Sequence, residues 1–275
     1  MNTWKDLVTE LSLIAEHEPL LRSYLEKNLI TKGSLGGALA QILADKLASA
    51  ALSHHALLQL FASTEEGECS AARDLAAAVN RDPAAHGMAN PFLHHKGFHA
   101  LQVHRAAHRL WGGGRRALAF ALQNRVSEVF AVDIHPAARI GESIFIDHAT
   151  GVVIGETAVL EDEVSLLQDV TLGGTGKETG DRHPKIGRGV LICAGAKILG
   201  NVRVGEGAVV GAGSVVLKSV PPHTTVVGVP SRVVGTPHGA SPGVDMDPTV
   251  NGDGDGDGDG DGDGDGEGKG KQSRP

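Results

Sequence analysis

An aliphatic residue recurs at every sixth position between Ile134 and Val216, in three runs: Ile134, Ile140, Ile146; then Ile154, Leu160, Leu166, Leu172; then Ile186, Ile192, Ile198, Val204, Val210, Val216. A helix repeats at about 3.6 residues and a flat strand at about two, so neither yields this period. Hexapeptide repeats of a parallel β-helix do: each hexad is a short strand plus a turn, and three hexads close a triangular coil. A small or β-branched residue stands four places after most anchors, as at Ala138, Thr150, Ala158, Val164, Val170, Val190, Ala196, Val202, Ala208 and Ser214. Stacked inward as ladders, anchors worth about 1.5–3 kcal/mol each are enough to hold a solenoid core.

The repeat is interrupted twice. Eight residues separate Ile146 from Ile154, so two extra residues bulge out near Asp147-His148. Fourteen separate Leu172 from Ile186, so Gly173 to Lys185 leaves the coil as a polar, glycine-rich loop. Solenoids tend to place such insertions on the binding face.

Residues 1–131 read as helical, with apolar steps of three and four at Leu7, Leu11, Ile14 and at Leu39, Ile42, Leu43, Leu47. Asp82-Pro83 and Asn90-Pro91 each resemble an N-cap followed by proline at the first helical position, so a helix is predicted to start at each. Gly112-Gly113-Gly114 breaks the second, and Arg115 to Phe130 resumes. The predicted organisation is an α-helical domain over 1–131, a β-helix over 132–236 and a disordered Gly/Asp-rich tail over 237–275. The tail from residue 245 holds ten acidic and three basic residues and so carries most of the net charge of −8. The folded part is near neutral, which gives no basis for nucleic-acid binding. Cys69 and Cys193 are too few for a disulfide framework. Met1 to Leu13 lacks a secretory layout and no apolar run nears the length of a membrane span, so a soluble cytoplasmic protein is expected.

Several motifs invite chemistry and fail. Around Gly176-Lys177 a P-loop needs glycine where Thr171 stands and Ser or Thr where Glu178 stands. His95, His99, His104 and His108 form i, i+4 pairs without an acidic or cysteine co-ligand, so no metal is expected there. Cys193 follows the anchor Ile192 with no adjacent base and suits a small packed residue. The Gly-Asp alternation lacks the closing glutamate and the flanking helices of a calcium loop. More promising is Asp133-Ile134-His135-Pro136, followed one coil later by Asp147-His148. Residues about 12–18 apart are expected on neighbouring rungs, so Asp133 is placed near His148, where a carboxylate orients an imidazole to take a proton. Arg182, at the end of the long loop, has the geometry to grip a carboxylate.

Taken together, Asp82-Pro83-Ala84, Asp133-Ile134-His135-Pro136-Ala137-Ala138, Asp147-His148-Ala149-Thr150-Gly151, Gly155-Glu156-Thr157, Gly173-Gly174-Thr175-Gly176-Lys177, Asp181-Arg182-His183-Pro184 and Pro221-Pro222-His223 resemble the serine O-acetyltransferase family over roughly residues 80 to 236. The resemblance implies a left-handed β-helix, trimers through the helix, a dimer of trimers through the helical domains and active sites between neighbouring β-helices. It implies acetyl-CoA as co-substrate without a metal, L-serine as acceptor and L-cysteine as feedback inhibitor. By the family's pattern His148 is the general base and Asp133 orients it. Asp82 and Asp147 hold the serine ammonium, and Arg182 and His183 hold its carboxylate. The backbone of Gly174-Thr175, Ala194-Gly195 and Ala212-Gly213 lines the acetyl-CoA groove. Family members commonly end in isoleucine, which docks in cysteine synthase. The sequence ends in Pro275 instead, which argues against that complex.

Three alternatives remain at this stage: a hexapeptide acyltransferase acting on a sugar or another amine, a zinc carbonic anhydrase whose His135, His148 and His183 converge on the metal, and a non-catalytic scaffold that binds a partner enzyme through its tail.

Overall fold

The computed structural model describes residues 3–62, 65–176 and 179–251. The first half is helical: α1 (Thr3–His17), α2 (Pro19–Tyr24), a π-turn and a 3₁₀-turn over 25–32, α3 (Leu35–Leu47), α4 (His54–Phe61), α5 (Glu65–Arg81), α6 (Ala89–His94), α7 (Lys96–Gly112) and α8 (Arg116–Phe130). The spacing of leucines supplies the core here, for Leu7, Leu11, Leu43 and Leu47 are all buried. Serine side chains cap two of the helices: Ser34 Oγ accepts from Gly37 N at 3.0 Å and Ser53 Oγ from Ala56 N at 3.3 Å.

From Val132 the chain winds as a parallel β-solenoid. The first coil carries β1 (Val132–Ile134), β2 (Arg139–Ile140) and β3 (Phe145–Ile146); the second β4 (Val152–Ile154), β5 (Val159–Leu160) and β6 (Ser165–Leu166). The third carries β7 (Thr171–Gly173), β8 (Lys185–Ile186) and β9 (Leu191–Ile192); the fourth β10 (Lys197–Leu199), β11 (Arg203–Val204) and β12 (Val209–Val210); then come β13 (Val215–Val216) and β14 (Thr225–Val227). Three faces result: β1-β4-β7-β10-β13, β2-β5-β8-β11 and β3-β6-β9-β12-β14. Anchors stack in register, Ile134 on Ile154, Ile154 on Leu172 and Ile198 on Val216. Every anchor is buried except Ile140, which is half-buried. Of the small positions, Thr150 is exposed and Ala149 fills the interior in its place, because the two inserted residues shift the inward phase.

A buried polar network ties the two halves together. Asp74 on α5 takes a bidentate grip from Arg105 of α7, at 2.9 and 3.0 Å. The same carboxylate accepts from Ile144 N at 3.1 Å, and Arg105 reaches Gly141 O at 2.8 Å. Helix α7 also lies hard against β3, since a Cβ on Gly97 would fall 2.1 Å from Ile146 O.

Three expectations are corrected. Asp82-Pro83 closes α5 and starts no helix: Asp82 N bonds Ala78 O at 3.1 Å, and the Asp82 carboxylate accepts from Ala84 N at 2.8 Å in an Asx turn. The helix expected from Asn90 begins at Ala89 and breaks at the extended His95, giving α6 and α7. Residues 237–251 are not a structureless tail. They include the end of β15 (Arg232–Pro237), α9 (Pro242–Asp245) and β16 (Val250–Asn251), with β15 and β16 paired antiparallel. Gly243 packs on the backbone of Val190 and Glu163, where a Cβ would lie 2.5 and 2.8 Å from their carbonyl oxygens. The Gly-Asp tract from 252 and the terminal Pro275 lie outside the described residues.

Candidate active site

The first insertion makes a corner between β3 and β4. His148 and Ala149 both adopt left-handed backbone, with φ of 55° and 63°, and Gly151 follows at 80°. Consecutive non-glycine residues in that region are strained and persist where surrounding structure holds them. Gly151 N bonds Ala131 O at 2.8 Å and anchors the corner. His148 is thrust outward, its side chain 72% exposed, with Asp147 Oδ2 3.7 Å from its Nε2. Opposite stand Asp82, from the Asx turn after α5, and His95, from the break before α7. Asp82 Oδ2 lies 3.5 Å from His95 Nε2. These four residues line one cleft of about 390 Å³. Burial, opposed by Asp82 and Asp147, holds the His95 imidazole below its ordinary value. Two carboxylates beside an exposed imidazole suit an amine whose neighbouring hydroxyl must lose a proton.

The expected contact between Asp133 and His148 is absent within the chain. The two extra residues lengthen this coil, so Asp133 registers against Val153. Its carboxylate accepts instead from Gln123 Nε2 of α8 at 2.6 Å.

Asp133 leads toward a second corner, between β1 and β2 and the coils above it. There Arg182 Nη2 donates to Glu156 Oε2 at 2.7 Å, and this contact holds the Glu156 carboxyl below its usual range. His183 is buried beside Thr157, with Nδ1 2.9 Å from Thr157 Oγ1. His135 is wedged against Trp111 and Phe120, ring centroids 5.1 and 5.5 Å away, both edge-on.

The six residues expected along the acetyl-CoA groove divide between the two corners. Ala194-Gly195 and Ala212-Gly213 stack above the His148 corner: Asp169 N bonds Thr150 O at 2.8 Å, Gly195 N bonds Gln168 O at 2.9 Å and Gly213 N bonds Ala194 O at 2.8 Å. A column of turns thus runs from His148 along one edge of the solenoid. Gly174 and Thr175 sit at the other corner, where a Cβ on Gly174 would contact Arg182 Cγ at 3.4 Å. Asp82, Asp147 and His148 therefore share one cleft, whereas Asp133, Arg182 and His183 belong to another surface. His95, Gln123, Glu156 and Thr157 were not assigned from sequence. Glu156 and Thr157 lay inside a matching motif, but nothing in their spacing marked which groups they hold. Cys193 is buried, with its thiol pushed up to about 11 by burial, which makes it a poor nucleophile. No described helix is long and apolar enough to cross a membrane.

The stacked hexads make this a hexapeptide-repeat protein, and residues 183–218 match the family described as Bacterial transferase hexapeptide (six repeats). Residues 3–103 match Serine acetyltransferase, N-terminal. The serine acetyltransferase of Salmonella typhimurium is 55% identical over 253 residues, 90% of this chain and 93% of the relative. The crystal structure of serine acetyltransferase from Vibrio cholerae has a TM-score of 0.88 at 55% identity, covering 91% of this chain and 98% of that one. Similar structures include a serine acetyltransferase in complex with cysteine (48% identity, TM-score 0.88, 91% and 100% covered), the soybean enzyme with serine (54%, 0.82, 84% and 97%) and the Brucella abortus enzyme with coenzyme A (47%, 0.84, 86% and 96%). The chain belongs to the serine acetyltransferase family of acyltransferases.

Proposed function

We propose that this protein moves the acetyl group of acetyl-CoA to the hydroxyl of L-serine, giving O-acetyl-L-serine and coenzyme A, the step that opens cysteine synthesis from serine. The observation that carries the reading is the cleft in which Asp82, Asp147 and His148 meet at the foot of a column of glycine turns. In this reading Asp82 and Asp147 hold the ammonium group. His148 removes the hydroxyl proton as the oxygen attacks the thioester carbon, a contribution of about 10²–10⁴ in rate. The oxyanion of the tetrahedral intermediate needs hydrogen-bond donors, which we assign to backbone N–H groups beside the cleft other than those of Gly151, Gly195 and Gly213, already bonded within the solenoid. When the intermediate collapses, the C–S bond breaks and the thiolate takes the proton back from His148. No covalent enzyme intermediate is needed, in keeping with the high thiol pKa of Cys193.

The carboxylate ligands Arg182 and His183, and the orienting Asp133, are supplied by a neighbouring copy whose second corner docks against this cleft. That arrangement makes a trimer the smallest active unit, paired into a hexamer through the helical domains. Acetyl-CoA lies along the column that includes Ala194-Gly195 and Ala212-Gly213, with Gly174-Thr175 contributed from across the interface. L-Cysteine shares the ammonium and carboxylate of serine, so it competes for the same groups and acts as the feedback inhibitor. Free Cys69 and Cys193 suit a cytoplasmic enzyme. The test is release of free thiol: it appears when the protein meets acetyl-CoA with L-serine and not with acetyl-CoA alone. Thiol release indifferent to serine overturns the reading.

A further inference from the structure

Thr157 stands where the groups of the Arg182-His183 segment converge. Its Oγ1 accepts from Arg182 N at 3.0 Å and from His183 N at 3.1 Å, and lies 2.9 Å from His183 Nδ1. The backbone N–H of Thr157 donates to the same Nδ1 at 3.2 Å. An N–H donates only to a ring nitrogen that carries a lone pair, so the proton of the neutral imidazole is on Nε2. The hydroxyl spends both lone pairs on the two backbone N–H groups, which leaves its own proton for Nδ1 or for the neighbouring Asp181 carboxylate. Burial, and then the Arg182 cation, hold His183 below its ordinary value, in keeping with a neutral ring. The other side of the ring rests on Gly155: a Cβ there would fall 2.0 Å from His183 Cδ2 and 2.1 Å from Nε2. Among the described residues Nε2 has no hydrogen-bond partner.

We propose that Thr157 is a positioning residue for serine: it locks His183 as a neutral Nε2–H donor and pins the Arg182-His183 segment so that both side chains meet the amino-acid carboxylate together. This rests on the assignment of His183 to that carboxylate. A pre-set tautomer and a pinned loop remove ordering costs that substrate binding would otherwise carry. Glu156 does the corresponding work for Arg182 by fixing its guanidinium. Gly155 supplies the space in which the locked ring fits.

The test compares Thr157→Val, Thr157→Ser and His183→Ala in the assembled full-length protein. Valine keeps the β-branch and the backbone N–H and removes only the hydroxyl. It is expected to raise KM for serine about tenfold, because the backbone N–H groups of Arg182 and His183 lose their shared acceptor and the segment is no longer pinned. Both kcat and KM for acetyl-CoA stay within about twofold, because neither a proton-transfer group nor the thioester site is touched. Thr157→Ser restores serine binding. A general packing role would instead lower thermal stability and all kinetic constants together, and serine would not rescue it. Gly155→Ala gives an independent arm, since it keeps the hydroxyl but displaces the ring, and it is expected to raise KM for serine as well. If His183→Ala raises KM for serine while Thr157→Val and Gly155→Ala do not, the positioning role is overturned and the carboxylate assignment stands. If His183→Ala leaves KM for serine unchanged, the assignment itself falls and the positioning role falls with it.

Discussion

The carboxylate of Asp82 lies 3.5 Å from Nε2 of His95, and both face the exposed imidazole of His148 across one cleft. This pairing gives the substrate ammonium a competitor inside the site. Burial holds His95 below its ordinary value, so at neutral pH it is uncharged and leaves Asp82 and Asp147 free to receive a cation. As pH falls His95 gains a proton and takes up part of that negative charge. KM for serine is expected to rise on the acid side, and His95→Gln to flatten that rise with little change in kcat. An acid limb identical in the two proteins removes His95 from the site.

His148 has the exposure and neighbours of a base, so His148→Ala is expected to cut kcat by about 10²–10⁴. Assembly and KM for acetyl-CoA are expected to persist, because the side chain projects from its corner and is largely exposed. Turnover in single-turnover and steady-state assays checks this, and near-normal rates in a folded variant end the general-base assignment.

Asp74 is fully buried and holds Arg105, Gln102 and the Ile144 N–H together between α5, α7 and the first coil. Removing one partner of such a buried pair leaves the other charge uncompensated. Asp74→Ala is expected to lower stability by about 3–5 kcal/mol. Urea denaturation of the purified protein measures it, and a loss below about 1 kcal/mol contradicts the structural role given to this network.

His99 and His104 are buried, and burial pushes each from 6.5 down to about 3. Depressed histidines stabilise the fold while both states are neutral, above about 6.5, and that contribution drains away as pH falls toward about 3. Over this window the unfolded chain binds protons that the folded one refuses. Denaturation midpoints are expected to decline steadily through it, and less steeply in His104→Leu. Equal slopes in the two proteins contradict the buried neutral state.

The solenoid was legible because its signal is redundant: thirteen anchors repeat one rule, and burial of an aliphatic ladder leaves the chain no other way to satisfy it. The irregular corner at His148 was legible for the same reason, as a departure from a strict period. What sequence concealed was local chemistry with two readings. Asp82-Pro83 serves an Asx turn as readily as an N-cap, and the break at His95 carries neither glycine nor proline. The ordered stretch to Asn251 escaped notice because Gly243 packs by close backbone approach rather than by apolar area. Asp133 and His148 stay apart within one chain because Asp133 lies in β1 and registers against Val153 of β4, whereas His148 lies at the corner that precedes β4. Thr157 was invisible as a hub, since its partners Arg182 and His183 reach it only after the long loop folds back.

The most direct measurement mixes two silent proteins. One carries His148→Ala; the other carries Arg182→Ala together with His183→Ala. Each is assayed alone and after co-assembly, at serine concentrations where neither homomer works. If the cleft of one copy is completed by the second corner of the next, mixed trimers rebuild one intact site each, and serine-dependent thiol release returns. Mixed trimers that assemble and stay silent contradict a site shared between chains.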